Sequence, residues 1–417
     1  MYRIFIPTES VTIAHIVRPL QVAKELRAQG LEVIFGAAPR YAQLLKDEGF
    51  PVIDLFSADP EILLDAVRRV DFSRQKTFLN EYLNSDIQAV KSIGGADLIL
   101  TDFRFMGKYA ARKLGIPHAS IVNGFFSPYY NIAPELPRAV MPFAPAALRR
   151  NRLLRNAVKA VVPRYHAGPY RQTCRQNDIP FEDIKSGFDF SVSDSLTLVC
   201  DMPEFTPQSG MPKHYHFTGP ILWEPAQGYS EIPDDLYKRE GKLIYASLGT
   251  SGEVSAFQGL LRAFAKLPYK VLLSTGGAIL NNLPPNVAAV PFVKPSGILK
   301  EAALMICHGG NGSIYQALSE SVPVLCITSF YDQEWNGQRV RELGLGESVF
   351  HKDVTEASML RLLPFLAESD LYKRRAQEFQ ARMAQFNGAR TAAEKIISYL
   401  ASRRIGRASY APLQSRY

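Results

Sequence analysis

The residues best suited to chemistry in this chain stand in one run, His308-Gly309-Gly310-Asn311-Gly312-Ser313. An apolar stretch, 304–307, precedes the run and reads as a buried parallel strand. A helical pattern carrying Ile314, Ala317 and Leu318 follows directly. A glycine-rich turn from strand to helix leaves backbone N–H groups unpaired at the helix N-terminus, where the helix also carries partial positive charge. That geometry suits a phosphate or diphosphate. The next apolar run, 323–328, reads as another strand, with Asp332-Gln333 just beyond its carboxyl end. Ligands of open α/β sheets bind there. A phosphate cradle and a polar pair suited to hydroxyl groups thus share one crevice, as a nucleotide sugar requires. No Gly-Lys-Ser/Thr ends the run, which excludes a Walker loop. No Gly-x-Gly-x-x-Gly with a later acidic residue points to a dinucleotide.

The stretch as a whole resembles the signature of the family 1 glycosyltransferases, the UDP-glycosyltransferase superfamily. That signature runs HGG-x-(N/G)-(S/T), a helix, G-V-P, a strand, then DQ-x-x-N. Here it stands as His308 to Ser313, Val322-Pro323, and Asp332-Gln333 with Asn336. The resemblance implies the GT-B fold, in which two Rossmann-like doubly wound α/β domains face each other across a cleft. It also implies transfer of a sugar from a nucleoside diphosphate to an acceptor.

Site residues follow from the same resemblance. Ala14-His15-Ile16-Val17-Arg18-Pro19 is similar to the family's GH-x-x-P start, whose histidine is the general base. Asp102 matches the aspartate that orients that imidazole; Asp97, the other candidate, begins its strand and lies at the far end. His308, the N–H groups of Gly310, Asn311, Gly312 and Ser313, and the Ser313 hydroxyl would hold the diphosphate. Thr250 and Ser251, in a turn like the family's SLGS loop, would face it. Asp332 and Gln333 would bind sugar hydroxyls, and Phe292 matches the aromatic that stacks on the base. Helix dipole and neutral donors would take the leaving group's charge in one inverting displacement, with no metal and no cofactor beyond the nucleotide-sugar co-substrate.

Three positions depart from the pattern. Gln316 stands where many members have the glutamate that binds ribose, and a neutral amide bonds hydroxyls less strongly than a charged acceptor. Lys294-Pro295 replaces a common Pro-Gln pair, which leaves dTDP open beside UDP, the favoured donor nucleotide. Ala14 replaces a glycine.

The elements that must position these groups are legible from pattern. A chain of 417 residues accommodates two domains. Strand-like runs at 2–6, 32–35, 52–55, 97–100 and 118–122 alternate with helical ones, giving a first doubly wound sheet. Residues 1–205 form the acceptor-binding domain, 206–240 a proline-rich linker, and 241–387 the donor-binding domain. In the family the last helix, here 388–404, returns to pack on the first domain. The basic tail from 405 has the composition of a poorly ordered terminus.

Four aromatics, Phe125, Phe126, Tyr129 and Tyr130, follow the strand at 118–122 and are candidates for an acceptor wall. Residues 145–162 read as a basic amphipathic helix, either solvated or docked on an anionic membrane surface to reach a lipid. The net charge of +8 invites nucleic acid as a partner, but no nucleic-acid module is present. No apolar run approaches the ~18 residues of a membrane span. Cys174, Cys200, Cys307 and Cys326 lack metal spacing; the three in or at the end of apolar strand-like runs, Cys200, Cys307 and Cys326, read as reduced, buried thiols, which fits a cytoplasmic protein or one peripheral to the inner membrane face.

The expected activity is transfer of a hexose to a hydroxyl of a hydrophobic small molecule or lipid. The alternative is a non-catalytic homologue that binds nucleotide sugar or assists a partner enzyme. A pure binder has no use for a base, so His15, Asp102, Asp332 and Gln333 together argue against it. An epimerase would need a cleft pair of acid/base carboxylates, which cannot be placed in this sequence.

Overall fold

The computed structural model of the chain describes residues 1–69, 77–138, 141, 143–224, 228–247 and 255–409. Their strands form two sheets. The first comprises β1 (Arg3–Pro7), β2 (Glu32–Ala37), β3 (Val52–Asp54), β4 (Leu98–Asp102), β5 (His118–Val122), β6 (Leu196–Val199) and β7 (Tyr215–Phe217). The second comprises β8 (Leu243–Ser247), β9 (Lys270–Ser274), β10 (Val287–Val290), β11 (Ala302–Cys307), β12 (Val324–Thr328) and β13 (Gly346–Phe350). Strand orders are 3-2-1-4-5-6-7 and 10-9-8-11-12-13, and every pairing is parallel. Helices cover both faces, so central strands such as β4 and β12 are buried along their whole length. This is the two-domain doubly wound architecture of the GT-B fold.

Order reverses between β1 and β4 in the first sheet and between β8 and β11 in the second. Helices leave to opposite faces at such a point, so a crevice opens at the carboxyl ends of the strands. His15 follows β1, Asp102 ends β4 and His308 follows β11. The topology alone therefore brings three separated stretches of chain to the two crevices.

The domains are stapled together. Helix Gly388–Ser409 returns to the first domain, where Ala392, Ala393, Ile396 and Leu400 share a core with Ile16, Leu20 and Ala23 of helix Ala14–Ala28. Tyr2 donates its hydroxyl proton to the Leu400 carbonyl at 3.2 Å. In the other direction, Met202 and Phe205 enter the core of the second domain.

Two strands were not anticipated. β7 lies within the stretch read as linker, its single buried residue Tyr215 too little pattern to register. β13 is an edge strand, buried only at its two ends. The stretch 145–162 also differs from expectation. It divides into helices Ala146–Arg149 and Arg152–Tyr165, with Asn151 capping the second through a bond from the Leu154 N–H at 3.1 Å. Its cations turn partly inward: Arg155 donates to the Pro134 carbonyl and Lys159 to the Tyr130 carbonyl. Leu153 and Val161 are instead 81% and 63% exposed. Among the described residues no helix is long and apolar enough to cross a membrane. All four cysteines are free and buried.

Candidate active site

β1 and β4 pair in parallel, so their carboxyl ends lie side by side. His15, in the first turn of helix Ala14–Ala28, thereby meets Asp102, the last residue of β4. His15 Nδ1 lies 2.9 Å from Asp102 Oδ1. Burial acts to raise the Asp102 carboxyl, but the Arg18 charge and the hydrogen bonds from His15 and Arg18 hold it below the usual carboxylate range. An ionised carboxylate only accepts, so Nδ1 carries the proton and Nε2 is the basic nitrogen left for a ligand.

Arg18 escaped the sequence reading. It forks onto Asp102 through Nε at 2.8 Å and Nη2 at 2.7 Å, and also donates to Asn123. The signal was its i+3 spacing from His15, which puts both side chains on one helix face. Arg18 locks the carboxylate by a bidentate bond and lessens its pull on a proton held by the imidazole. Phe103, next after Asp102, was missed as well. It adopts φ +60, a conformation costing about 1–2 kcal/mol for a non-glycine residue, and stacks on His15 at 5.1 Å between centroids.

On the second domain, β11 ends in His308, and Gly309 takes φ +85 to turn the chain into helix Asn311–Ser319. No side chain caps that helix, so its first N–H groups remain available. A Cβ at Gly312 would meet nothing within 4 Å, which shows open space before the tip. Burial pushes the His308 imidazole down to about 4, keeping it neutral, and its buried Nδ1 has no partner among the described residues. Asp332 is pushed above the usual carboxylate range by burial, partly offset by the backbone N–H groups of Asp332 and Gln333 and by the charge of His15 across the cleft.

Several side chains assigned to the donor are engaged in building the site. Asn311 donates to Asp201 Oδ1 at 2.7 Å, Tyr315 joins it at 2.9 Å, and Asp201 Oδ2 accepts from the Gly124 N–H at 2.6 Å. The buried Asp201, unforeseen from sequence, thus ties the helix tip to the first domain. Gln333 uses its carbonyl oxygen to accept from the Ser329 N–H at 2.8 Å. Asn336 donates to the Gly309 carbonyl at 3.0 Å, holding the glycine turn. Gln316 donates to the Trp223 carbonyl at 2.9 Å.

A cavity of about 400 Å³ lies between the domains. His15, Phe292, His308, Gly310, Asn311, Gly312, Ser313, Gln316, Asp332 and Gln333 all line it, with Asp102 buried behind His15. Thr250 and Ser251 lie outside the described residues. Of the four aromatics assigned to the acceptor, only Phe126 reaches the cavity. Phe125 packs edge-on against Trp335 of the other domain, Tyr129 against Tyr215, and Tyr130 is buried beneath Lys159. The loop turns through a short 3-10 helix, Gly124–Phe126, which sends successive rings in different directions. Phe103 and Phe105 also line the cavity.

Residues 258–398 match the family described as Erythromycin biosynthesis protein CIII-like, C-terminal domain. Over 345 residues the chain is 30% identical to the PGL/p-HBAD biosynthesis rhamnosyltransferase of Mycobacterium bovis (strain BCG / Pasteur 1173P2), covering 82% of this chain and 76% of that one. The chain belongs to the family 1 glycosyltransferases.

Solved glycosyltransferase structures share the fold. That of kitacinnamycin superposes with a TM-score of 0.73 at 22% identity, covering 95% of this chain and 99% of that one. The calicheamicin glycosyltransferase CalG4 gives 0.71 at 21%, covering 99% and 100%.

The buried histidines of this glycosyltransferase make its stability depend on acid. Burial holds His118 down to about 3 and His308 down to about 4, from an ordinary value of 6.5. Below about pH 6.5 the unfolded chain gains protons that the folded chain refuses. Each group therefore removes stability as pH falls, by up to about 1.4 kcal/mol per pH unit. His118→Gln is expected to show a shallower fall of melting temperature between pH 6.5 and 4.5 than the wild type. Parallel curves would refute the assignment.

Proposed function

We propose that this enzyme transfers a hexose, with inversion, from a pyrimidine nucleoside diphosphate to a hydroxyl of a hydrophobic acceptor. One observation carries the reading. An imidazole oriented by a buried carboxylate lines the same cavity as an uncapped helix tip preceded by a neutral histidine. His15 Nε2 takes the proton of the acceptor hydroxyl as its oxygen attacks the anomeric carbon. The bond from that carbon to the diphosphate oxygen breaks, and the N–H groups at residues 311–313 with His308 receive the charge. Asp332 and Gln333 line the cavity and would bind the sugar hydroxyls, and Phe103, Phe105 and Phe126, which line it too, would offer the acceptor an apolar wall. Donors of this kind need no metal, so transfer should persist in EDTA.

The mycobacterial relative is named a rhamnosyltransferase, which makes rhamnose the first sugar to test. The experiment is a panel of UDP- and dTDP-hexoses, dTDP-rhamnose included, scored for thermal stabilisation and then for product with hydrophobic alcohols and phenols. A true donor at a hundredfold excess over its Kd adds about 2.7 kcal/mol of stability, a shift of several degrees. Stabilisation without product from any acceptor would favour the non-catalytic binder. No stabilisation by any nucleotide sugar would overturn the proposal.

A further inference from the structure

Sugar transfer has no use for the helices Ala146–Arg149 and Arg152–Tyr165, yet the charge of the chain is concentrated around them. Residues 136–177 hold nine Lys/Arg and no Asp/Glu. The net charge is +8, so the remainder of the sequence is balanced to within one charge. Among the described residues only two of the nine pair with a carboxylate, Arg138 with Asp353 and Arg150 with Glu135.

Helix Arg152–Tyr165 also inverts the usual order of a surface helix, which buries its apolar stripe and turns its charges to water. Here Arg155 and Lys159 reach into the protein, donating to the Pro134 carbonyl at 3.0 Å and the Tyr130 carbonyl at 2.5 Å. Leu153, Ala157 and Val161, spaced four apart and so on one face, are exposed. Arg152 and Arg164 are exposed near them and make no hydrogen bond or ion pair among the described residues. Just upstream, Phe143 stands almost wholly in solvent and Leu148 is exposed. No other stretch of the described residues exposes four large apolar side chains within so short a span.

An apolar row among unpaired cations fits one partner better than others. Apolar side chains gain by leaving water, and guanidinium groups are drawn to phosphate headgroups. A bilayer containing anionic lipid meets both needs within its interface. Nucleic acid would satisfy the cations and leave the Leu153 row in water. The helix also rests on the active-site loop: Lys159 holds the Tyr130 carbonyl, and Phe126, four residues earlier, lines the cavity.

We propose that Leu153, Ala157 and Val161 enter the interface of an anionic bilayer, with Arg152 and Arg164 on its headgroup phosphates. The helix then lies in the membrane plane, and the loop bearing Phe126 is held close to the lipid surface. This surface is independent of the donor-site reading, because it binds lipid with no nucleotide sugar present.

Sedimentation of the full chain with vesicles of phosphatidylcholine, with and without phosphatidylglycerol, tests this. Wild type is expected to partition onto the anionic vesicles at least about tenfold more strongly, and to lose that preference in molar salt. Leu153→Ser with Val161→Ser should weaken the anionic partition about tenfold. Arg152→Gln with Arg164→Gln should weaken it about 20-fold, roughly fivefold per charge. Leu371→Ser, at an exposed leucine of helix Asp370–Met383, should partition like wild type. All five positions are exposed, so melting temperatures should match and the partition reads the surface alone. The proposal falls if wild type stays in the supernatant with anionic vesicles, if it prefers neither lipid, or if either double variant partitions like wild type. An equal loss in Leu371→Ser would overturn it too, by showing adhesion of the whole surface.

Discussion

Replacing His15 with alanine is expected to lower kcat/KM for sugar transfer about 10³-fold while leaving the affinity for UDP or dTDP unchanged. The size follows from the role. General-base catalysis contributes 10²–10⁴-fold, and 10³ corresponds to about 4 kcal/mol of barrier. The separation of effects follows from position. His15 belongs to the first domain, and the diphosphate cradle at residues 308–313 belongs to the second. His15 is held by Asp102 and stacked on Phe103, so its removal withdraws a ring from the cavity wall without unpairing the helix tip. Asp102 keeps Arg18 as its partner, so no buried charge is stranded and the fold should survive. Initial rates with saturating acceptor, set beside nucleotide titrations of the same preparation, decide it. An unchanged rate would end the base assignment, and a parallel loss of nucleotide affinity would show that His15 serves binding instead.

Gly310→Ala should weaken nucleotide binding by roughly 10²-fold. Gly310 has φ −67 and ψ 141, ordinary values that alanine adopts freely, so backbone strain is not the cause. The cause is one added carbon. A Cβ there would collide with the His308 ring, which leaves the imidazole no choice but to swing away from the turn. Displacing a positioning group by about 1 Å can cost 10²-fold. The melting temperature of the free protein serves as the control, because a neutral ring leaving a cavity wall strands no charge. Wild-type affinity in this variant would show that His308 does not touch the diphosphate.

The sequence made the local parts plain. Strand and helix alternate with periods that burial imposes, and nearly every strand run read from pattern lies within a residue or two of an observed strand. The failures have one physical character. β7 and β13 are short edge strands whose half-exposed residues leave little apolar pattern, so pairing with a neighbour makes them strands. Residues 125–130 look alike as a run of aromatics. Where each ring points depends on the local turn and on what stands opposite: Trp335, Tyr215 and Lys159 lie far along the chain.

The site divides in the same way. By itself the sequence determined the groups whose chemistry resides in local backbone: an open helix tip after a glycine turn, a histidine after the first strand, an acidic residue ending another. Tertiary structure alone decided how those groups are charged and aimed. Arg18 reaches Asp102 across 84 residues, and Asp201 reaches Asn311 across 110. A carboxylate's charge, a tautomer and the freedom of an amide depend on the few atoms in contact with them. Periodicity along the chain reports which face is buried, and only the fold reports which partner waits there.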